Sequence, residues 1–212
     1  VDHLSDINMP LTEHARRYLI AEGLPPENTI KTGSCMKEVL NYYSEKINKS
    51  KILEDLKLEK NQFFIVSAHR EENIDSEQNF KDFLNTLNKL AQKYKYRILV
   101  STHPRTRKKL EQLSSQDINP LVEFLKPFGF SEFIQLQKNA YCVISDSGTI
   151  TEESSLLSIP AVMIRQAHER PEGMDQGILI MSGLFAEDVI HSVEVVTQMK
   201  KPEIVNDFDT EN

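Results

Sequence analysis

The chain of 212 residues lacks the features that mark several large classes of protein. It has two cysteines, Cys35 and Cys142, without a CxxC pair, which argues against a zinc site or a disulfide framework and fits a reducing cytoplasm. Its net charge is −7, from 25 basic and 32 acidic residues, so no basic face for a nucleic acid is expected. No apolar run approaches the ~20 residues of a membrane span. We therefore expect a globular cytoplasmic protein with neither a nucleic-acid nor a membrane partner.

An internal repeat, a low-complexity segment and an initiator methionine are also missing. The sequence begins at Val1, in what resembles the middle of a folded element, so we expect a fragment of a longer protein. Its length corresponds to one large domain or to one and a half.

Six continuous apolar runs predict strands that are buried on both faces, as in a parallel sheet. Segments with apolar residues three and four positions apart lie between them and predict helices. This alternation predicts an α/β domain with a doubly wound parallel sheet. The strand candidates are Phe63–Ser67, Ile98–Ser101, Val122–Leu125, Tyr141–Ser145, Ala161–Ile164 and Ile178–Met181. The helix candidates lie at residues 80–94, 108–113, 130–137, 154–157 and 189–196.

The first 57 residues form a separate piece in this interpretation. Thr12 caps a helix that ends at Gly23, Thr29–Thr32 forms a short strand, and Met36–Ile47 forms a second helix. Asn48–Glu59 is rich in Lys, Asn and Glu and predicts a solvated connection. Because this piece has too few strands for a sheet of its own, we assign residues 1–57 to the end of one domain with its linker and 58–212 to a second domain.

A strand, a turn on small residues and a helix meet at Asp146-Ser147-Gly148-Thr149. Amides at the start of a helix lack internal partners and carry partial positive charge, so a phosphate can approach them where the side chains are small. Glu153, further along, can accept hydrogen bonds from neighbouring hydroxyls of a sugar. Phosphate and polyol together suggest a nucleotide-sugar. The structural alternative is a plain capping box over Thr149-x-x-Glu152.

Other ionisable and aromatic residues follow the remaining strands, at the edge where doubly wound sheets bind ligands. His69 and Arg70 follow the first strand, and each could instead be an ordinary loop residue. Arg170 suits a bidentate contact with a diphosphate, or it is a surface residue of a turn. Phe128 and Phe133 either wall a flat base or belong to the core. Their joint occurrence at one edge favours a binding site.

With these motifs the sequence resembles the non-hydrolysing UDP-N-acetylglucosamine 2-epimerase family. The form Ala-His-Arg-Glu-Glu-Asn, together with Ser-Gly-Thr, is most similar to the capsule and O-antigen enzymes that form UDP-N-acetyl-L-fucosamine. The resemblance covers nearly the whole chain. The matching segments are Asp2–Asp6, Lys31–Ser34, Ala68–Asn73, Asp146–Gly148 with Glu152-Glu153, and Glu169–Gly173.

The resemblance implies a fold of two Rossmann-like halves that face each other across a cleft, the glycosyltransferase-B (GT-B) arrangement, of which this chain is the C-terminal half plus the end of the other. It implies that the Ser147–Thr149 turn and Arg170 bind the diphosphate of UDP and that Glu153 binds the ribose. Arg70 would be a further UDP-binding residue. Phe128 and Phe133 would lie along the uridine. His69 would act near the diphosphate and the reacting sugar, as a catalytic and UDP-binding residue.

The family inverts C2 of a UDP-sugar without NAD or metal. UDP is eliminated with loss of the C2 proton, and it adds back after reprotonation on the other face. The resemblance implies acidic catalytic residues ahead of Val1 and a homodimer for the full-length enzyme. A glycosyltransferase of the same GT-B fold and a non-catalytic nucleotide-binding module remain as alternatives.

Overall fold

A computed structural model describes residues 1–70, 73, 75–102, 104–110, 118–165, 179–199 and 208. Within these residues, six strands pair in parallel in the order β3-β2-β1-β4-β5-β6. This confirms the prediction of a doubly wound α/β fold. The strands are β1 (Phe63–Ser67), β2 (Arg97–Ser101), β3 (Val122–Leu125), β4 (Cys142–Ser145), β5 (Ala161–Met163) and β6 (Leu179–Met181).

Helices cover both faces of the sheet, and short 3-10 turns lie at Asp2–Leu4 and Pro26–Asn28. No helix in the described part of the chain is both long and apolar enough to traverse a bilayer. The helices are α1 (Glu13–Ala21), α2 (Met36–Tyr42), α3 (Ser44–Asn48), α4 (Ile52–Asp55), α5 (Glu77–Tyr94), α6 (Pro104–Leu110), α7 (Phe130–Asn139), α8 (Ile150–Leu157) and α9 (Ala186–Gln198).

Alternate side chains of β1 supply two separate apolar cores, because successive residues of a strand point to opposite faces. Phe64 and Val66 pack with α5 and α9 on one face. Phe63 and Ile65 pack on the other face, together with residues of α7 and α8. All four are fully buried, and a buried side chain of this size contributes about 1.5–3 kcal/mol. The continuous apolar run of β1 therefore reflects burial on both faces.

The first 60 residues differ from the sequence prediction in three places. The strand predicted at Thr29–Thr32 is wrong, because only an isolated bridge joins Asn8 to Thr29 and no longer ladder forms around it. The helix predicted at Met36–Ile47 is divided at Tyr43 into α2 and α3.

The solvated connection predicted for Asn48–Glu59 is also wrong in part. It contains α4, and Ile52, Leu53 and Leu56 pack against the core on the α7 face. The many charged residues of this segment led to the prediction of an exposed connection, whereas its apolar residues form a face that is buried against the sheet domain.

Four helices begin earlier than predicted: α5 and α9 start three residues early, and α6 and α8 start four residues early. α8 starts at Ile150, four residues before the predicted segment, and α6 starts at Pro104, where proline suits a first helical turn. The end of the segment predicted at 108–113 and residue Ile178 of the last predicted strand lie outside the described residues.

Candidate functional site

The order of the strands reverses between β1 and β4, the place at which doubly wound sheets form a crevice between the loops that follow the strands. From β1 the sheet extends to β2 and β3, whereas from β4 it extends to β5 and β6. The helices that follow these two strands accordingly lie on opposite faces: α5 packs in one core and α8 begins in the other. Ligands of doubly wound sheets bind at such a reversal point, beyond the carboxyl ends of the strands.

The Asp146 carboxylate ties the two loops together. It is fully buried and accepts hydrogen bonds from the backbone amides of His69 at 3.0 Å and Arg70 at 2.9 Å. The imidazole Nδ1 of His69 lies 3.3 Å from Asp146 Oδ1, and half of the His69 side chain remains exposed. A buried carboxylate that accepts several N–H donors is strongly held. His69 is therefore fixed beside the turn that begins at Ser147.

Asn73 and Arg70 reinforce this connection. The Asn73 side-chain amide is buried and donates to Asp146 Oδ2 at 3.1 Å and to the carbonyl of Ile164 at 3.2 Å, which joins the ends of β1, β4 and β5. Arg70 Nε donates to the Asp146 carbonyl at 3.1 Å. The guanidinium is half-buried at the same edge, so it adds positive charge beside the crevice.

The turn Ser147-Gly148-Thr149 presents backbone amides at the start of α8. The Ser147 amide donates to the Ser145 hydroxyl at 3.1 Å, and the hydroxyls of Ser147 and Thr149 lie 3.0 Å apart. The amides of Gly148 and Thr149 donate to no acceptor among the described residues. A Cβ added at Gly148 would meet no atom within 4 Å. The fold therefore does not require glycine here, and its small size leaves space above the amides.

The capping box considered for Thr149-x-x-Glu152 does not form. The Thr149 side chain makes no capping hydrogen bond, and Glu152 instead accepts one from the Ser34 hydroxyl. That interpretation of the motif is wrong because a tertiary partner engages the carboxylate.

Glu153 lies in the first turn of α8, where its carboxylate accepts a hydrogen bond of 2.6 Å from the side-chain amide of Gln137. Both side chains are buried, so the carboxylate is held in one position against α7. Phe133 precedes Gln137 by four residues in α7 and therefore lies on the same side of that helix. Phe133 and Phe128 are half-buried and pack against the core on the α7 face.

The structure thus brings together most of the residues that the sequence singled out. His69, Arg70 and the Ser147–Thr149 turn meet through Asp146, and Glu153 follows in the same helix. Phe128 and Phe133 lie next to the end of β3, at the same edge of the sheet. Arg170 lies outside the described residues.

Sequence reasoning missed the partners that hold these residues. Asp146 belongs to one of the motifs that carry the family resemblance, but the sequence suggested no role for it. It also suggested no role for Asn73, Gln137 or Ser34. A carboxylate directly after a buried strand at the reversal point was the signal for Asp146. The position of Gln137, four residues after an aromatic residue in α7, was a weaker signal.

Comparison with known proteins decides the family. The family described as UDP-N-acetylglucosamine 2-epimerase matches residues 1–210. The chain belongs to this family. A UDP-N-acetylglucosamine 2-epimerase of Methanococcus maripaludis is 32% identical over 204 residues, which make up 91% of this chain and 54% of that protein.

Solved structures of epimerases share the fold. The UDP-N-acetylglucosamine 2-epimerase from Rickettsia bellii has 51% identity and a TM-score of 0.84, over 93% of this chain and 52% of that one. The enzyme from Methanocaldococcus jannaschii, solved in complex with UDP-GlcNAc and UDP, has 28% identity and a TM-score of 0.84, over 95% of this chain and 57% of that one. The chain therefore spans about half the length of these epimerases, and the comparisons do not favour the glycosyltransferase alternative.

Proposed function

We propose that this chain supplies the UDP-binding half of a UDP-N-acetylhexosamine 2-epimerase, in which residues 58–212 form the Rossmann-like domain that binds UDP. Residues 1–57 are the end of the preceding domain and its linker. The observation that carries the proposal is the Asp146 carboxylate, which holds the His69 loop against the Ser147–Thr149 turn. Family membership and the UDP-bound structure of the Methanocaldococcus enzyme support the same assignment.

The proposed mechanism requires a good leaving group. Loss of the C2 proton and cleavage of the C1–O bond place negative charge on the departing UDP, and the return of UDP to C1 follows protonation of C2 on the other face. Donors that are already oriented stabilise such charge without reorganising. The amides of Gly148 and Thr149, the guanidinium of Arg70 and the imidazole of His69 are these donors in our proposal. Arg170 adds a further cation to the diphosphate.

The remaining contacts bind the nucleoside. Glu153 accepts hydrogen bonds from the ribose hydroxyls, and the Gln137 amide orients its carboxylate. Phe128 and Phe133 line the uracil side, where a half-buried aromatic surface suits a flat base. No metal or nicotinamide takes part in the proposed reaction.

We further propose that the enzyme belongs to the subgroup that forms UDP-N-acetyl-L-fucosamine for capsule or surface polysaccharide, on the pattern of its Ala-His-Arg-Glu-Glu-Asn and Ser-Gly-Thr motifs. The full-length enzyme is proposed to be a homodimer. The proposed compartment is the cytoplasm, in line with two cysteines that form no disulfide, one exposed and one buried.

Binding and turnover test the proposal separately. Isothermal titration of the 212-residue chain with UDP is expected to give weak binding. NMR of the chain with UDP-sugar in D₂O is expected to show no deuterium at C2, since the acidic catalytic residues are assigned to the other half. The full-length enzyme is expected to form a new UDP-sugar without an acceptor. Failure of the chain to bind UDP, or deuterium exchange by the chain alone, would contradict the assignment.

A further inference from the structure

Asn73 is a buried residue whose side-chain amide contacts the ends of two neighbouring strands. Its Nδ2 donates to Oδ2 of Asp146, after β4, at 3.1 Å and to the carbonyl of Ile164, after β5, at 3.2 Å, and the residue is 1% exposed. Both partners are acceptors, so the nitrogen of the amide must face them, and each of its two hydrogens has an acceptor of its own. Contacts with two strands therefore hold the side chain in one orientation.

The backbone of Asn73 is tied to the segment that precedes it. Its amide donates to the carbonyl of Arg70 at 3.1 Å. The amides of His69 and Arg70 donate to the same Asp146 oxygen that accepts the Asn73 side chain, at 3.0 and 2.9 Å. Asp146 thus holds His69 and Arg70 at one end of this segment, and Asn73 attaches the other end to both β4 and β5.

The backbone of this segment determines where the side chains of His69 and Arg70 point. Half of the His69 side chain is exposed and Arg70 is half-buried, so packing alone does not orient them. Donors that stabilise a developing charge must already be in position, within a fraction of an ångström, and the residues around them supply that precision. The contacts of Asn73 supply it at the end of the segment that Asp146 does not hold through backbone amides.

We propose that Asn73 is a positioning residue that fixes the backbone of His69 and Arg70 and so directs both side chains towards the diphosphate of UDP. The inference rests on the proposed function, which assigns the diphosphate to these side chains. It adds that the diphosphate and the nucleoside depend on Asn73 differently, because the Glu153 carboxylate is held separately, by Gln137 of α7. Loss of the Asn73 amide should therefore weaken diphosphate binding selectively.

Amide hydrogen exchange tests the positioning without any ligand. The buried Thr102 amide, which donates to the Leu125 carbonyl at the end of β3, reports any change in the sheet as a whole. In the Asn73→Ala variant the amides of His69 and Arg70 are expected to exchange about tenfold faster relative to that of Thr102, because their segment opens more readily. Equal acceleration at all three amides, or none at His69 and Arg70, would overturn the proposal, whether or not the chain binds UDP.

Titrations with UDP and with uridine test the consequence for binding. Asn73→Ala is expected to raise the Kd for UDP about tenfold or more, since two donors lose their orientation. The Kd for uridine, which has no diphosphate, is expected to change less than about twofold. In a His69→Ala/Arg70→Met background, the same Asn73→Ala change is expected to alter the Kd for UDP less than about twofold. Equal increases for UDP and uridine, or in both backgrounds, would mean that Asn73 does not act through these side chains, and the proposal would be wrong.

Asn139, at the other edge of the sheet, provides the matched control. It is 8% exposed, and its side-chain amide donates to the Gln135 carbonyl at 2.7 Å, so Asn139→Ala removes a buried amide of the same kind. This variant is expected to leave both Kd values within about twofold of the wild type. Asn73→Asp keeps the shape of the side chain but removes both donors, and it is expected to show the same selective loss of UDP affinity. A wild-type chain that binds neither UDP nor uridine would contradict the proposed function, while amide exchange would still decide the role of Asn73.

Discussion

The two edges of the sheet are built from different chemistry. At the carboxyl edge, the buried carboxylate of Asp146 lies beside a half-exposed imidazole and two amides that donate to no acceptor within the described ranges. At the amino edge, the rings of Phe64, Tyr94 and Tyr141 pack with centroids 5.2–5.5 Å apart. Hydrogen bonds organise the carboxyl edge, whereas contacts between aromatic rings fill the amino edge. Contacts that only stabilise the fold and donors that remain available to the proposed ligand are thus separated along the strands.

This separation has a physical reason. Aromatic rings in contact gain packing energy from one another and need no ligand. The carboxyl edge instead has backbone donors that find no acceptor in the described part of the chain, although a capped turn would satisfy them. Such polar arrangements are common at sites that lose stability in exchange for function. Substitutions at the amino edge should therefore change stability alone, whereas substitutions at the carboxyl edge should change binding, with or without a loss of stability.

The largest effect is expected for Asp146→Ala, which should lower both stability and binding. The change removes the acceptor of the His69 and Arg70 amides and of the Asn73 side chain, all near a fully buried position. Donors left without partners cost about 1–3 kcal/mol each, so the free energy of unfolding should fall by roughly 3 kcal/mol or more. Urea denaturation measures this loss, and UDP titration should show no binding.

The exposed Asp188 provides the matched control for that change. It lies in the first turn of α9, and Asp188→Ala should cost less than about 1 kcal/mol, the value of a favourable interaction with the helix dipole. If Asp146→Ala were no more destabilising than Asp188→Ala, Asp146 would not hold the two loops together.

Gly148→Ala should separate binding from stability at the carboxyl edge. An added Cβ has no neighbour within 4 Å, so the free energy of unfolding should stay within about 0.5 kcal/mol of the wild-type value. The methyl group would occupy space that a phosphate needs, and the Kd for UDP should rise about tenfold or more. Calorimetry and denaturation measure the two quantities on the same sample. Unchanged affinity would place the phosphate elsewhere.

Arg97→Met should give the opposite result at the amino edge. Arg97 contacts Glu123 through two hydrogen bonds of 2.6 and 2.9 Å and donates to the Leu56 carbonyl at 2.6 Å. The Glu123 carboxylate raises the pKa of the guanidinium. Because the pair is about one-third exposed, its loss should cost only about 1–2 kcal/mol. UDP affinity should not change, and an altered Kd would show that the two edges are coupled.

The sequence predicted the sheet well because its strands are continuous apolar runs. β1 and β3 have the predicted bounds, and β2 and β4 differ by one residue. The meeting of the loops that follow β1 and β4 was also predictable, since parallel strands bring their carboxyl ends to one edge. The contacts that organise the site were not. Asp146 binds amides 76 and 77 residues away, and Ser34 binds a carboxylate 118 residues away. No local pattern encodes such pairs.

Two errors of the sequence prediction share one cause. The segment Thr29–Thr32 has strand-like residues, but a strand requires a partner, and Asn8 supplies a single bridge. Charged residues dominate the composition of Asn48–Glu59, so the segment was predicted to be exposed to solvent. Ile52 and Leu53 form a buried face only because they pack against the neighbouring core. Local composition predicts an element reliably where burial is complete, and less reliably where it depends on one neighbouring surface.

The smallest effect is expected for the stability of the fold at alkaline pH, through Tyr94 at the amino edge. Burial, and then the nearby Tyr141 and Glu194, raise the pKa of Tyr94 from 10.0 to about 12. The folded protein therefore holds this proton more tightly than the unfolded chain, and the resulting stability is present below pH 10 and is lost as the pH rises towards 12. Tyr94→Phe should make the decline of the urea midpoint over this range shallower, whereas Tyr42→Phe, at a side chain that is 81% exposed, should follow the wild type. A decline equally steep in Tyr94→Phe would assign the alkaline sensitivity to groups other than Tyr94.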